Sequence, residues 1–241
     1  MTFYVARLLS EILLLYYVLS NASYFVFFVI ALLTSVRHQR KLASIRLEHI
    51  RTSPFTPPVT VLMPARNEEA CITESVRSLL ALDYPALEII VINDGSTDSS
   101  LSRLASTYRL RPVHLLYVAD IPCAPVRQLY ASEVDERLLV LDKVSGRSKA
   151  DAINAGVNAA SSPWLCVVDA DSVLERDALL RVMAAVYSDP RQIVGVGGIV
   201  RVMNGCAFDG GALIETRLPP KPLEVLQVVE YLRAFLIGRA A

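Results

Sequence analysis

The chain has 241 residues, 53% hydrophobic and 20% charged, with a mean hydropathy of +0.41. That is too apolar for a disordered chain and high for a purely soluble domain. Its 24 Lys and Arg balance 24 Asp and Glu, so no overall basic excess points to a nucleic-acid partner.

The amino-terminal segment explains the apolar excess. From Ile12 to Val36 no residue is charged. A helix of that length extends about 37 Å at ~1.5 Å per residue, enough to cross a hydrocarbon core of ~30 Å with some tilt. Ser20, Asn21 and Ser23 interrupt it, and a helix carries such residues if they bond back to its own backbone or face another helix. The apolar run is longer than a signal-peptide core and ends in Arg37-His38-Gln39-Arg40-Lys41, a stop-transfer pattern. Residues 1–36 therefore read as one transmembrane helix and 37–57 as a basic juxtamembrane linker. Arg37, Arg40, Lys41, Arg46 and Arg51 follow the span, whereas only Arg7, beside Glu11, precedes it. The basic flank stays in the cytoplasm. The expected placement is a single span in the cytoplasmic (inner) membrane, with the N-terminus outside and the rest cytosolic.

The linker ends in Ser53-Pro54-Phe55-Thr56-Pro57-Pro58, which stops any helix. Beyond it, short apolar runs alternate with helical spacing. Strands are predicted at Val59–Met63, Leu87–Ile92, Val113–Val118, Leu138–Leu141, Trp164–Val168 and Ile193–Val202. Helices are predicted at Asn67–Leu82, Asp98–Tyr108, Lys149–Ala160 and Glu175–Tyr187. Such alternation implies parallel β-α units, helices on both sheet faces, and ligands at the carboxyl ends of the strands. Four cysteines, Cys71, Cys123, Cys166 and Cys206, form no CxxC pair. That excludes a zinc ribbon or thioredoxin motif and leaves four buried or half-buried thiols in a reducing compartment.

Polar clusters follow three of the strands directly: Pro64-Ala65-Arg66-Asn67-Glu68-Glu69, Asn93-Asp94-Gly95-Ser96-Thr97-Asp98 and Asp169-Ala170-Asp171-Ser172. Asn67, Ser96 and Asp98 read equally well as helix caps. Asp169 and Asp171, two apart on an extended strand, share one face, and their repulsion calls for a cation. A divalent ion held by one or two carboxylates plus substrate phosphates answers it. Gly146-Arg147-Ser148-Lys149-Ala150-Asp151 precedes a helix, whose N–H groups with Lys149 suit a phosphate; a solvated lysine is the plainer alternative. Gly195-Val196-Gly197-Gly198 opens no helix and is not a dinucleotide fingerprint. Asp94–Asp98 lacks the ligand spacing of an EF-hand.

The segments VTVLMPARNEEACITESVRSLLALDYPALEIIVINDGSTDSS, GRSKADAINAGVNAA and WLCVVDADSVLERDAL resemble family 2 glycosyltransferases of the GT-A fold. Among these they are most similar to membrane-bound processive synthases of the poly-N-acetylglucosamine, hyaluronan and cellulose type. The resemblance implies an α/β fold, a Rossmann-like, mostly parallel sheet with helices on both faces, over residues 58–220. It also implies a nucleotide-sugar donor, a UDP-sugar, with Mg²⁺ or Mn²⁺. Asp94 matches the aspartate that reads the uridine, Glu68 a second nucleoside contact, and Lys149 the lysine near the diphosphate. Asp169 and Asp171 match the DxD metal pair, with Asp171 preferred as direct ligand. Pro64 and Arg66 belong to the same nucleotide-sugar edge, although Arg66 stands where some members carry an aromatic residue. The resemblance further implies inverting transfer by an aspartate base to a growing polysaccharide. Yet no (T/E)ED base motif and no QxxRW motif is present, so no catalytic base is identified. Residues 221–241 read as an amphipathic helix, packed on the domain or lying at the membrane interface. The chain therefore resembles the donor-binding part of a longer enzyme. Two alternatives remain: a transferase loading a lipid phosphate carrier, and a non-catalytic nucleotide-sugar-binding or assembly subunit.

Overall fold

In a computed structural model of the protein, residues 2–43, 47–114, 119–188, 193–198, 202–209 and 212–238 are described. The chain divides into two units: residues 47–193 with 207–215, and residues 1–46, 194–206 and 216–241.

The larger unit is built on a six-stranded sheet. Its strands are β1 (Val59–Ala65), β2 (Leu87–Asp94), β3 (Leu110–Val113), β4 (Val126–Ser132), β5 (Leu138–Lys143) and β6 (Trp164–Val167), in the order β3-β4-β5-β2-β1-β6. β1, β2, β5 and β6 run parallel, while β3 and β4 form an antiparallel edge beside β5. Helices α3 (Ile72–Leu80), α4 (Ser100–Tyr108), α5 (Lys149–Ala159) and α6 (Ala178–Ser188) follow the parallel strands or their neighbours, and the short α2 (Leu47–Thr52) packs on α6. This is the mixed α/β, mostly parallel architecture expected from the alternating pattern.

Continuous apolar strands are buried on both faces, as a parallel sheet requires. Leu62, Ile90, Ile92 and Leu141 pack with Ala152 and Ala155 of α5. Their neighbours in sequence, Val61, Met63, Ile89, Val91 and Val140, are equally buried and face the other way. With both faces covered, the polar carboxyl-end loops are the surface left for chemistry.

Several expectations need correction. The predicted helix starts at Asn67 and Asp98 move to Ile72 and Ser100, because both exits first make a hydrogen-bonded loop. The sixth helix likewise begins at Ala178. β4 was not anticipated, since VRQLYAS mixes polar and apolar residues on a half-exposed antiparallel strand. The strand expected at 113–118 is seen as β3 ending at Val113, and residues 115–118 lie outside the described set. Residues 193–198 form no strand, in keeping with their three glycines, and 199–201 lie outside the described set. A short hairpin appears instead, β7 (Ala207–Asp209) and β8 (Ala212–Glu215).

The smaller unit contains α1 (Thr2–Ala43) and α7 (Pro222–Gly238), which pack on each other. Residues Phe3–Thr34 of α1 are long and apolar enough to cross a membrane, and nearly all of them are exposed, Ala31 being buried. Asn21 Nδ2 donates to Tyr17 O (2.7 Å) and Ser23 Oγ to Ser20 O (2.7 Å), so these polar side chains are satisfied within their own helix. The basic stretch after Val36 begins as a continuation of α1, which runs to Ala43.

Candidate functional site

The exits of β1, β2, β5 and β6 meet along one edge of the sheet, and each is tied to another. After β1, whose half-buried Pro64 is its penultimate residue, Arg66 is exposed and Asn67 adopts φ +57°. Asn67 is not a helix cap. Its N–H donates to Ser96 Oγ (3.0 Å), and its Oδ1 accepts from Thr97 N (2.8 Å). Glu68 N donates to Ser100 Oγ (2.9 Å), Glu69 N to Asp98 Oδ2 (3.1 Å), and Ser99 N to Glu69 Oε2 (3.0 Å). The β1 and β2 exit loops are thus stitched reciprocally. The Ser100 side chain first, then the Ser100 and Glu69 amides, outweigh burial and lower the Asp98 carboxyl below its usual range.

Asp94 ends β2 in register with Lys143, the last residue of β5. The aspartate is 6% exposed and the lysine 0%. Lys143 Nζ donates to Asp94 Oδ1 (2.9 Å), to Val144 O (2.8 Å) and to Asp151 Oδ2. Asp94 also accepts from Gly146 N (3.1 Å, Oδ1) and Ser145 Oγ (3.3 Å, Oδ2). Gly95 turns the chain at φ +64°, where a Cβ would lie 2.9 Å from Ser145 N, so only glycine fits both the angle and the contact. Burial pulls the Lys143 ammonium down, but its bonds to Asp151 and Asp94 outweigh this and leave its pKa raised. On the opposite side of β2, Asn93 Nδ2 donates to Asp142 Oδ1 (2.7 Å).

Lys149 opens α5. Ser148 caps that helix, its Oγ accepting from Asp151 N (3.1 Å), after Arg147 at φ +61°. Lys149 Nζ pairs with Asp169 Oδ1. The strand before this aspartate ends at Val167, so Asp169 and Asp171 do not share the face of an extended strand, as the spacing suggested. They flank a turn closed by Ser172 N to Asp169 O (3.0 Å). Both are exposed. The turn is anchored from α3 through Ala170 O, which accepts from Ser75 Oγ and, more loosely, from Cys71 Sγ (3.8 Å). Burial first, then the Glu68 and Asp171 carboxylates, push the Cys71 thiol above its usual value.

Sequence reasoning missed Lys143, Asp151 and Ser75. Lys143 carried one readable signal: a lysine closing an apolar parallel strand beside another that closes on Asp94. Pro64, Arg66, Glu68, Asp94, Lys149, Asp169 and Asp171, the residues singled out in the sequence, lie along this one edge. The four cysteines are free and half-buried.

The profile described as Glycosyltransferase like family 2 matches residues 57–208. The chain belongs to this family. Over 152 residues it is 27% identical to the poly-beta-1,6-N-acetyl-D-glucosamine synthase of Staphylococcus aureus, covering 63% of this chain and 31% of that protein. The same enzyme of Staphylococcus epidermidis gives the same figures. The chain thus spans about a third of the length of these curated relatives. Among solved structures, a mannosyltransferase of Pyrobaculum calidifontis, in complex with GDP-Man and Mn²⁺, is 24% identical, with TM-score 0.42, over 68% of this chain and 45% of that one. Residues 1–349 of S. aureus TarS give 20% identity and TM-score 0.42, over 59% of this chain and 39% of that one. These scores lie below 0.5, and the fold assignment rests on the strand order and the family match.

Asp169 and Asp171 supply hard oxygen donors in the open. Among the described residues no group of three or more His, Cys, Asp or Glu side chains could hold a metal ion. A caged ion therefore does not fit this glycosyltransferase-family site. Mg²⁺ or Mn²⁺ completed by water and donor phosphates does, since such ions keep several non-protein ligands.

Proposed function

We propose that this chain is the donor-binding part of a membrane-anchored glycosyltransferase. It takes a nucleotide sugar, a UDP-sugar, with Mg²⁺ or Mn²⁺, and serves transfer with inversion to a growing polysaccharide. The observation that carries this reading is the convergence of Asp94, Lys149, Asp169 and Asp171 on one sheet edge within a family 2 domain.

The roles follow from position. The β1 and β2 exits, with Pro64, Arg66, Glu68 and Asp94, form the nucleoside end. The α5 amino terminus and Lys149 face the diphosphate with positive potential. Asp169 and Asp171 would hold the metal, which would supply positive charge against that developing on the leaving diphosphate. Transfer breaks the anomeric C–O bond to the diphosphate and makes one to an acceptor hydroxyl, whose proton goes to a base. Glu230 pairs with Arg233 (2.5 Å) and Glu224 lies 3.9 Å from Lys221. Neither is assigned that role, which leaves the acceptor side to groups beyond the donor edge.

In this reading α1 anchors the protein in the cytoplasmic membrane. The basic flank of the span keeps the α/β domain cytosolic. Residues 37–57 form the juxtamembrane linker, residues 58–220 the transferase domain, and residues 221–241 the amphipathic segment. Calorimetric titration of the detergent-solubilised chain with UDP, with and without Mn²⁺, tests the site. Tighter binding with Mn²⁺ is expected, and no binding under either condition overturns the reading.

A further inference from the structure

We propose that Lys143 is a positioning residue of the donor site. It acts through Asp94 and Asp151 to hold the 144–149 loop, and hence Lys149, where a nucleoside diphosphate binds. The inference rests on the donor-site reading above.

The geometry is a hub. A lysine ammonium has three donors, and all three are used, on Asp94, Asp151 and the Val144 carbonyl. The side chain is fully buried, where an unpaired ammonium is heavily penalised. Each acceptor belongs to a different support of the loop. Asp94 ends β2 and also receives Gly146 N. Asp151 lies in the first turn of α5, and its Oδ1 receives Ala124 N (2.8 Å). Val144 begins the loop, its own N–H bonded to Pro125 O (2.9 Å). Gly146 lies so close that a Cβ there would fall 1.9 Å from Asp151 Oδ2. One buried cation therefore joins β2, β5 and α5 directly beneath the segment that presents Lys149.

Charge and position predict opposite outcomes, which makes the proposal testable. Asp151→Ala removes a negative charge beside the diphosphate position. If charge alone mattered, UDP would bind more tightly. Loss of positioning instead weakens it. The double variant Lys143→Met/Asp151→Ala keeps the net charge of the three-residue cluster at −1 while deleting the hub. Both are measured as the full chain in detergent micelles, by titration with UDP and UMP and by amide hydrogen exchange.

The expected result is UDP binding weakened roughly ten-fold, about what one displaced hydrogen bond to a charged group costs, with UMP affected much less. Amides of 144–150 should exchange faster while those of β1 keep their protection, a pattern that general destabilisation would not give. Unchanged or tighter UDP binding, or unchanged exchange in 144–150, overturns the proposal. If the parent chain binds no UDP, the donor-site reading fails, and exchange over 144–150 still decides whether Lys143 holds the loop. If the double variant does not fold, Asp151→Ala alone carries both measurements.

Discussion

At the scale of single residues, the edge depends on a few atoms with no substitutes. Asp171 is exposed and has no ion-pair partner among the described residues, whereas Asp169 is partnered by Lys149. Removing Asp171 therefore deletes a free carboxylate without unbalancing a pair. Asp171→Ala is expected to leave metal-free UDP affinity close to that of the parent and to abolish its gain from Mn²⁺, since the one carboxylate left, Asp169, is already engaged by Lys149. Titration calorimetry in both conditions reads the difference, and a retained Mn²⁺ gain would place the metal elsewhere. Gly95 gives a stability counterpart. An alanine there must hold φ near +64° and meet Ser145 N at 2.9 Å. Left-handed backbone costs roughly 1–2 kcal/mol for a residue with a Cβ, and the contact adds to it. Urea unfolding of Gly95→Ala should show a loss of at least that size, and parent-like stability would mean that the β2 turn relaxes freely.

At the scale of elements, how far the sequence could be read depended on burial. β1, β2 and β5 were legible because a strand covered on both faces is an uninterrupted apolar run. β4 was not, because Arg127 and Gln128 break the run on a strand that is only partly covered. Glycine-rich 193–198 reads as a strand, and is none, because valine and isoleucine carry β propensity whether or not a partner strand exists. The DxD pair was found by spacing but given the wrong backbone, since the end of β6 is set by its pairing with β1, through Leu62↔Val167. Lys143 stayed hidden for a different reason. Its meaning lies in Asp94, 49 positions earlier, and only the parallel register of β2 with β5 makes them neighbours.

Two expectations follow for these elements. Ser148 caps α5 through Asp151 N, so Ser148→Ala should cost about 1 kcal/mol in denaturant unfolding. The hub makes stability depend on pH at both ends. The bond from Lys143 lowers the Asp151 pKa against a smaller burial effect, so its contribution is complete above the unfolded value of about 3.9 and is lost as pH falls through the lower folded value. Lys143 has a raised pKa. Its contribution is complete below the unfolded value of about 10.4 and is lost as pH rises through the higher folded value. Lys143→Met/Asp151→Ala should flatten both flanks of the stability-against-pH curve relative to the parent. Flanks that stay as steep would show that other groups govern them.

At the scale of the whole molecule, the proposed membrane anchoring raises the question of which side of the membrane holds the α/β domain. A nucleotide sugar is charged and, in the proposed function, must meet Lys149, Asp169 and Asp171 in an aqueous compartment. The uncharged run of α1, Ile12–Val36, is preceded by Arg7 and Glu11, which pair with each other (3.1 Å) and present little net charge. It is followed by Arg37, Arg40 and Lys41. Short flanks with this asymmetry orient the basic end toward the cytosol. A reporter active only in the cytosol should work when fused after Lys41 and fail when fused before Met1. In right-side-out cells, external protease should leave the segment from Pro58 to Pro220 intact and digest it only after the membrane is opened. The orientation can be separated from anchoring by moving charge alone. Replacing Arg37, Arg40 and Lys41 with glutamine while adding arginines ahead of Phe3 leaves the apolar span untouched and should shift a measurable fraction of the chain to the opposite topology. Digestion of the domain in intact cells expressing the unaltered chain would refute the cytosolic placement. Indifference of topology to the charge swap would show that something other than flanking charge sets it.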